Sequence, residues 1–159
     1  MSGAVPVAGE NAERPLASYA GLMGAFLGGF GGLIVAVAAR GGLPERMSPY
    51  DLALAGTAGH KLSRLIATDE VTAPLRALFV VVSETGDGEK HEEPRGDGPR
   101  RAIGQLVTCP SCVGQWTTAA FVVGIALSPR VTRLTASVFV ADAISDFLHV
   151  AYRASKDRA

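Results

Sequence analysis

The sequence predicts an all-α integral membrane protein: a bundle of four transmembrane helices, with three as the alternative, and a flexible loop on the cytoplasmic side. Three observations predict it. The stretches from Pro15 to Ala39 and from Ala102 to Pro129 contain no charged residue, and a helix needs roughly 20 residues to cross the hydrocarbon core of a bilayer. Between Arg133 and Tyr152 a third stretch of spanning length carries charge only at Asp142 and Asp146. The mean hydropathy of +0.25 looks mild only because the charges are clustered. A chain of 159 residues suits a single domain, and a formal net charge of +0 gives no reason to expect a nucleic acid partner.

Residues 1–16 are small and polar and read as a disordered tail. The first span follows at about residues 17–39. A cleaved secretory signal is the competing reading, because Ala36-Val37-Ala38 resembles a cleavage site, but the run exceeds a typical apolar region and no basic segment precedes it. Gly24, Gly28 and Gly32 fall on one face of this helix, and small residues at that spacing let helices approach closely. Packing against the protein's own helices is the plainer expectation; a homodimer or another membrane protein docked on this face is the other.

After the turn-rich connector Arg40–Arg46, Ser48 suits an N-cap, Pro49 the first helical position and Asp51 the third, so a second helix is expected over about residues 50–67. Its second half carries His60, Lys61 and Arg64, which leaves open whether it spans or lies on the surface. Charge asymmetry bears on that. If it spans, Arg76, Lys90, Arg95, Arg100, Arg101, Arg153, Lys156 and Arg158 share one side with both termini, against Arg40, Arg46, Arg130 and Arg133 on the other. The positive-inside rule then places the long loop and the C-terminus in the cytoplasm, and the three-span alternative places them there too.

Residues 68–83 are too short to cross and read as a segment at the membrane surface, and residues 84–101, with Gly, Pro and both charge signs, as a flexible loop. Arg95-Gly96-Asp97 spells an adhesion tripeptide, which a cytoplasmic loop would not present. The third span is expected at about residues 110–128, because Pro110 suits a first helical turn, and the fourth at about 133–152, before a short tail at 153–159. All spans belong to one membrane domain, residues 17–152.

On the last helix Asp142, Ser145, Asp146 and His149 share a face, and on the second Thr57, His60 and Arg64 do. At 1.5 Å per residue from the cytoplasmic ends, Arg64 lies about 6 Å deep, Asp146 about 10 Å, His60 about 12 Å and Asp142 about 16 Å. Arg64 and Lys61 are therefore expected to neutralise Asp142 and Asp146 in a buried polar network.

The combination of His60-Lys61-Leu62-Ser63-Arg64-Leu65, Asp69-Glu70-Val71-Thr72-Ala73-Pro74-Leu75-Arg76 and Leu106-Val107-Thr108-Cys109-Pro110-Ser111-Cys112-Val113-Gly114-Gln115-Trp116 resembles a family of small bacterial multi-pass membrane proteins catalogued as a domain of unknown function, which includes a sporulation-associated protein of bacilli. The resemblance covers roughly residues 48–152. It implies membership and a membrane location, and no activity.

Cys109 and Cys112 are the two cysteines of the chain and open the third span. Three readings stay open for them. At a helix N-terminus a thiolate is favoured, which suits redox chemistry. Two thiolates with His60 and His149, or His91, would complete a tetrahedral zinc site. Or the cysteines simply pack, as small apolar residues do. The expectation is an accessory or assembly protein of the bacterial inner membrane, not an enzyme, with a thiol–disulfide oxidoreductase and then a small transporter as alternatives.

Overall fold

A computed structural model describes residues 16–42, 44, 46–84 and 90–158. The expected tail falls almost wholly outside the described residues, as does the tip of the expected loop. The described chain forms α1 (Leu16–Ala39), α2 (Pro49–Thr68), a 3₁₀ turn (Glu70–Thr72), α3 (Ala73–Arg76), β1 (Val80–Glu84), β2 (Lys90–Pro94), α4 (Gly98–Val107), α5 (Pro110–Leu127) and α6 (Pro129–Lys156). The protein is all-α apart from one two-stranded sheet, and α1, α5 and α6 are long and apolar enough to cross a membrane.

The helix boundaries follow local chemistry. Gly41, at φ +66°, takes the left-handed conformation that closes α1. The Ser48 hydroxyl accepts the Asp51 N–H at 3.0 Å, and Pro49 begins α2 where no N–H is needed. Proline also separates α4 from α5: the residue before a proline is pushed out of the α region, and Cys109 sits at φ −107°, ψ 102°.

At the centre, α2 packs against α5 and α6. Leu54, Ala55, Ala58, Phe121, Ile125 and Ala136 form the buried cluster, with Phe121 and Phe139 meeting edge to face at 6.0 Å. Small residues set the spacing. A Cβ on Gly59 would lie 2.8 Å from Thr118 Cα and 2.9 Å from its N, so the two backbones nearly touch. The Thr117 hydroxyl spans that contact by donating to the Gly59 carbonyl at 2.9 Å. Pairing runs from Asp51–Arg133 to Lys61–Asp146 along α2 and α6, so these helices run the same way. Gly59 meets Thr117 and Gly114 lies near Ser63, so α5 runs opposite to α2.

Two elements differ from the sequence expectation. Residues 80–94 hold an antiparallel hairpin in which Val82 pairs with Glu92 and Val80 with Pro94, and Gly98–Val107 form a helix, where a flexible loop and no separate helix are expected. The apolar Val80–Val82 run finds a partner strand and a helix to lie against: a Cβ on Gly104 would be 2.6 Å from the Phe79 carbonyl and 3.1 Å from Pro94 Cβ.

The second correction concerns α1. It touches the rest of the bundle through α4 and α5, with Phe26 against Trp116 at 5.0 Å between ring centroids. Its glycine face does not join that contact. Among the described residues, nothing lies within 4 Å of where a Cβ on Gly24, Gly28 or Gly32 would stand, so these glycines do not pack against the described helices.

Candidate functional site

Three groups of polar or reactive side chains emerge, at different places on the bundle. The first is a clamp at the end of α2. Arg76 is 5% exposed, and its guanidinium is fully used: Nε and Nη2 each donate to the Glu92 carboxylate at 2.9 Å, and Nη1 donates to the Asp69 carbonyl at 2.8 Å, the Ile66 carbonyl at 3.1 Å and Thr72 Oγ1 at 2.7 Å. Thr72 Oγ1 in turn donates to the Leu65 carbonyl at 2.6 Å. Side chains from the following segment thus satisfy carbonyls that the last turn of a helix leaves unpaired. The Glu92 carboxylate holds the Arg76 charge more firmly than that of an ordinary guanidinium, while burial works against it. From the sequence these residues carry only the resemblance and, for Arg76, a place in the charge count; an arginine close after a helix end, four residues from a threonine, is the signal that points to a cap.

The second group is the polar band on α2 and α6. Lys61 reaches both carboxylates, 3.1 Å from Asp142 and 2.6 Å from Asp146. Arg64, expected to share this task, makes no ion pair among the described residues. It lines the same cleft, of about 550 Å³, together with His60, Asp146 and His149. The expected burial is not found on the acidic side: the Asp142 and Asp146 side chains are 51% and 62% exposed, whereas that of Lys61 is 12% exposed. At the far end of the same helix pair, Arg133 donates in bidentate fashion to Asp51, at 2.8 and 2.9 Å. That pair was not anticipated, since each member had been assigned only to its own helix.

Removing the ammonium tests how the band is wired. Lys61→Ala is expected to lower the melting temperature in detergent, and Lys61→Ala with Asp142→Asn and Asp146→Asn to recover part of the loss, because the carboxylates no longer need a counter-charge. Additive losses across the series would show that Lys61 acts independently of the two carboxylates.

The third group is the cysteine pair. Cys109 is the N-cap of α5, and its sulfur accepts the Cys112 N–H at 3.3 Å. An N-cap side chain naturally approaches the third residue of its helix. The C-x-x-C spacing uses that geometry, bringing the two Cα atoms to 5.2 Å, and the sulfurs are joined as a disulfide. Both cysteines line a cleft of about 510 Å³ between α1, α4 and α5, with Tyr19, Phe26, Gln105 and Trp116.

From the sequence, His60 and His149 are expected beside these sulfurs. The structure separates them: the histidines line the α2–α6 cleft and the cysteines the α1–α4–α5 cleft. Among the described residues no three of His, Cys, Asp or Glu gather as a metal would require, so the four expected zinc ligands are not assembled.

Residues 54–152 match the family described as protein of unknown function (DUF1360). The chain belongs to this family. The sporulation protein YjcA of Bacillus subtilis (strain 168) is 32% identical to it over 83 residues, covering 50% of this chain and 70% of that protein. No solved structure matches. The clamp, the polar band and the cysteine pair all fall inside the matched DUF1360 region, whereas α1 precedes it.

Proposed function

We propose that this protein is a four-span accessory protein of the bacterial inner membrane, with both termini and the hairpin on the cytoplasmic side. In this reading two copies associate through the polar bands of α2 and α6. The observation that carries it is the exposure of Asp142 and Asp146, 51% and 62%, on a helix that is apolar enough to cross a membrane. Ionised groups at such depth are costly in lipid and are ordinarily covered by protein. Two carboxylates share the one ammonium of Lys61, while Arg64 in the same cleft has no carboxylate among the described residues. A second copy supplies the complement, Arg64 of each protomer meeting the acidic residues of the other, as an isologous contact requires. The span count rests on α2, which lies along α5 and α6 from Asp51 to Ser63 and so accompanies them through the bilayer.

Two differently tagged copies are expected to co-purify in mild detergent, to separate when both carry Arg64→Glu, and to associate again when an Arg64→Glu copy is paired with an Asp142→Lys, Asp146→Lys copy. Wild-type copies that never co-purify would overturn the pairing. A reporter fused before Ser18 that appears outside would overturn the four-span arrangement.

The Cys109–Cys112 pair serves in this reading as an element whose thiol or disulfide state sets how α1 lies against α4 and α5. A thiol–disulfide oxidoreductase is the second reading, favoured by the cleft that opens on the sulfurs. The Bacillus relative is named a sporulation protein, which names no reaction and fits an accessory role at a membrane.

A further inference from the structure

The cleft between α1, α4 and α5 is lined almost wholly by apolar surface, yet it holds three features that apolar packing does not require. The first is the cysteine pair. The second is a set of aromatic side chains, Tyr19, Phe26 and Trp116, with Phe26 and Trp116 set edge to face. The third is an orphaned acceptor: Gln105 lines the cleft, and its Oε1 is buried without a hydrogen-bond partner among the described residues. An unpaired buried acceptor is costly, so the amide gains by turning to a donor held in the cleft. The wall on one side is α1, an apolar helix long enough to cross a membrane that packs against α4 and α5, so a cleft beside it suits a ligand that arrives from lipid. A ligand that suits it is flat, lipid-soluble, able to stack on aromatic rings, and equipped with ring oxygens that accept a hydrogen bond in one redox state and donate one in the other.

We propose that this cleft binds a membrane para-quinone, which oxidises Cys109 and Cys112. The inference rests on the reading of the pair as a thiol-responsive element. The chemistry balances within the named partners. One cysteine thiolate attacks the quinone, the second displaces it from sulfur, and the Cys109–Cys112 bond forms as two electrons and two protons pass to the ring, giving the quinol. Turned toward the cleft, the Gln105 amide offers its oxygen to a quinol hydroxyl and its N–H to a quinone carbonyl, and Gln115 stands at the edge of the cleft. Thiols facing the cytoplasm are ordinarily kept reduced. A pair that works there as a disulfide needs an oxidant of its own, and one dissolved in the bilayer reaches this cleft without crossing water.

Trp116 is the single tryptophan of the chain, and it lines the cleft, so binding has a built-in reporter. Duroquinone is a suitable probe, because its fully substituted ring has no hydrogen to lose, so thiolate attack stays reversible and cannot end in the stable aryl thioether that simple benzoquinones form. Titrated into the full-length protein in detergent, it is expected to quench Trp116 saturably in wild type. Gln105→Leu, which keeps the apolar bulk, is expected to weaken that quenching at least tenfold. Mixed anaerobically with the reduced protein, duroquinone is expected to form one disulfide and one quinol per chain, with a rate that saturates and that drops at least tenfold in Gln105→Leu. Linear, non-saturating quenching, or an oxidation rate no faster than that of free dithiothreitol, overturns the proposal. Circular dichroism and melting temperature of Gln105→Leu separate loss of the site from loss of the fold, and unchanged quenching in a folded variant also overturns it. If thiol trapping in cells shows the pair changing state while duroquinone fails to bind, the quinone falls and the thiol-responsive reading survives. If the pair never changes state in cells, that reading falls whatever the quenching shows.

Discussion

Gly59→Ala is expected to destabilise the bundle by about 3 kcal/mol, near the upper end of what overpacking ordinarily costs. The new methyl would stand 2.8 Å from Thr118 Cα and 2.9 Å from its N, and backbone atoms cannot turn aside as a side chain can. The helices must separate, which also stretches the bond from the Thr117 hydroxyl to the Gly59 carbonyl, 2.9 Å in the native contact. Gly56→Ala supplies the control on the same helix. Nothing lies within 4 Å of its Cβ position, and alanine exceeds glycine in helix propensity by about 1 kcal/mol, so its effect is neutral or favourable. Thermal unfolding of both variants in one detergent reads the difference; equal melting temperatures would mean that α2 and α5 do not approach as closely as described.

Arg76→Met is expected to cost about 3–5 kcal/mol, the range for removing one partner of a buried ion pair. The loss strips the Glu92 carboxylate of its bidentate partner and takes one donor each from the carbonyls of Ile66 and Asp69. Arg76→Lys is expected to recover little, because one ammonium cannot satisfy a bidentate carboxylate and two carbonyls lying in other directions. Glu92→Gln is expected to be milder, since a neutral amide oxygen still accepts one of the two bonds. Hydrogen exchange locates the damage. The amides of β1 and β2 should lose protection while those around Phe121 and Ala136 keep theirs; uniform loss would mean that the clamp supports the whole bundle.

The four long helices are legible in the sequence because each signal is local. Uncharged runs mark α1 and α5, Ser48 and Pro49 mark the start of α2, and Pro110 marks the start of α5, all readable within a few residues. The common face of Asp142 and Asp146 is equally local, a matter of helical periodicity. Partner choice is not. That Lys61 rather than Arg64 takes both carboxylates depends on how α2 is rotated about its axis, which no spacing within α2 encodes. The same holds for the cysteines. Depth along the membrane placed them near His60 and His149, but depth fixes one coordinate, and the rotation of α5 carries the sulfurs toward α1 instead. The hairpin was missed for a different reason. Its first strand is only five residues long, and its second, Lys90–Pro94, mixes charges and a proline that taken alone argue against a strand. What makes it a strand is the neighbouring chain, through Arg76 on Glu92 and the backbone of Phe79 against Gly104. Small residues in α2, by contrast, are a usable signal: Ala55, Ala58 and Gly59 announce close approach as plainly as the glycines of α1, which face away from the described helices.

α5 and α6 leave the same corner at Ser128 but differ in length, 18 residues against 28. At 1.5 Å per residue that is about 27 Å against about 42 Å, so α6 overshoots its neighbour by some 15 Å at the end where α3, α4 and the hairpin gather. The molecule is therefore lopsided. Among the described residues one rim carries only short connections, the turn that closes α1 and the single-residue corner at Ser128. The other carries a thick shelf of short elements beside a projecting mast that ends in Arg153 and Lys156. Among the described residues, the short elements and the far end of α6 thus share one side of the bundle.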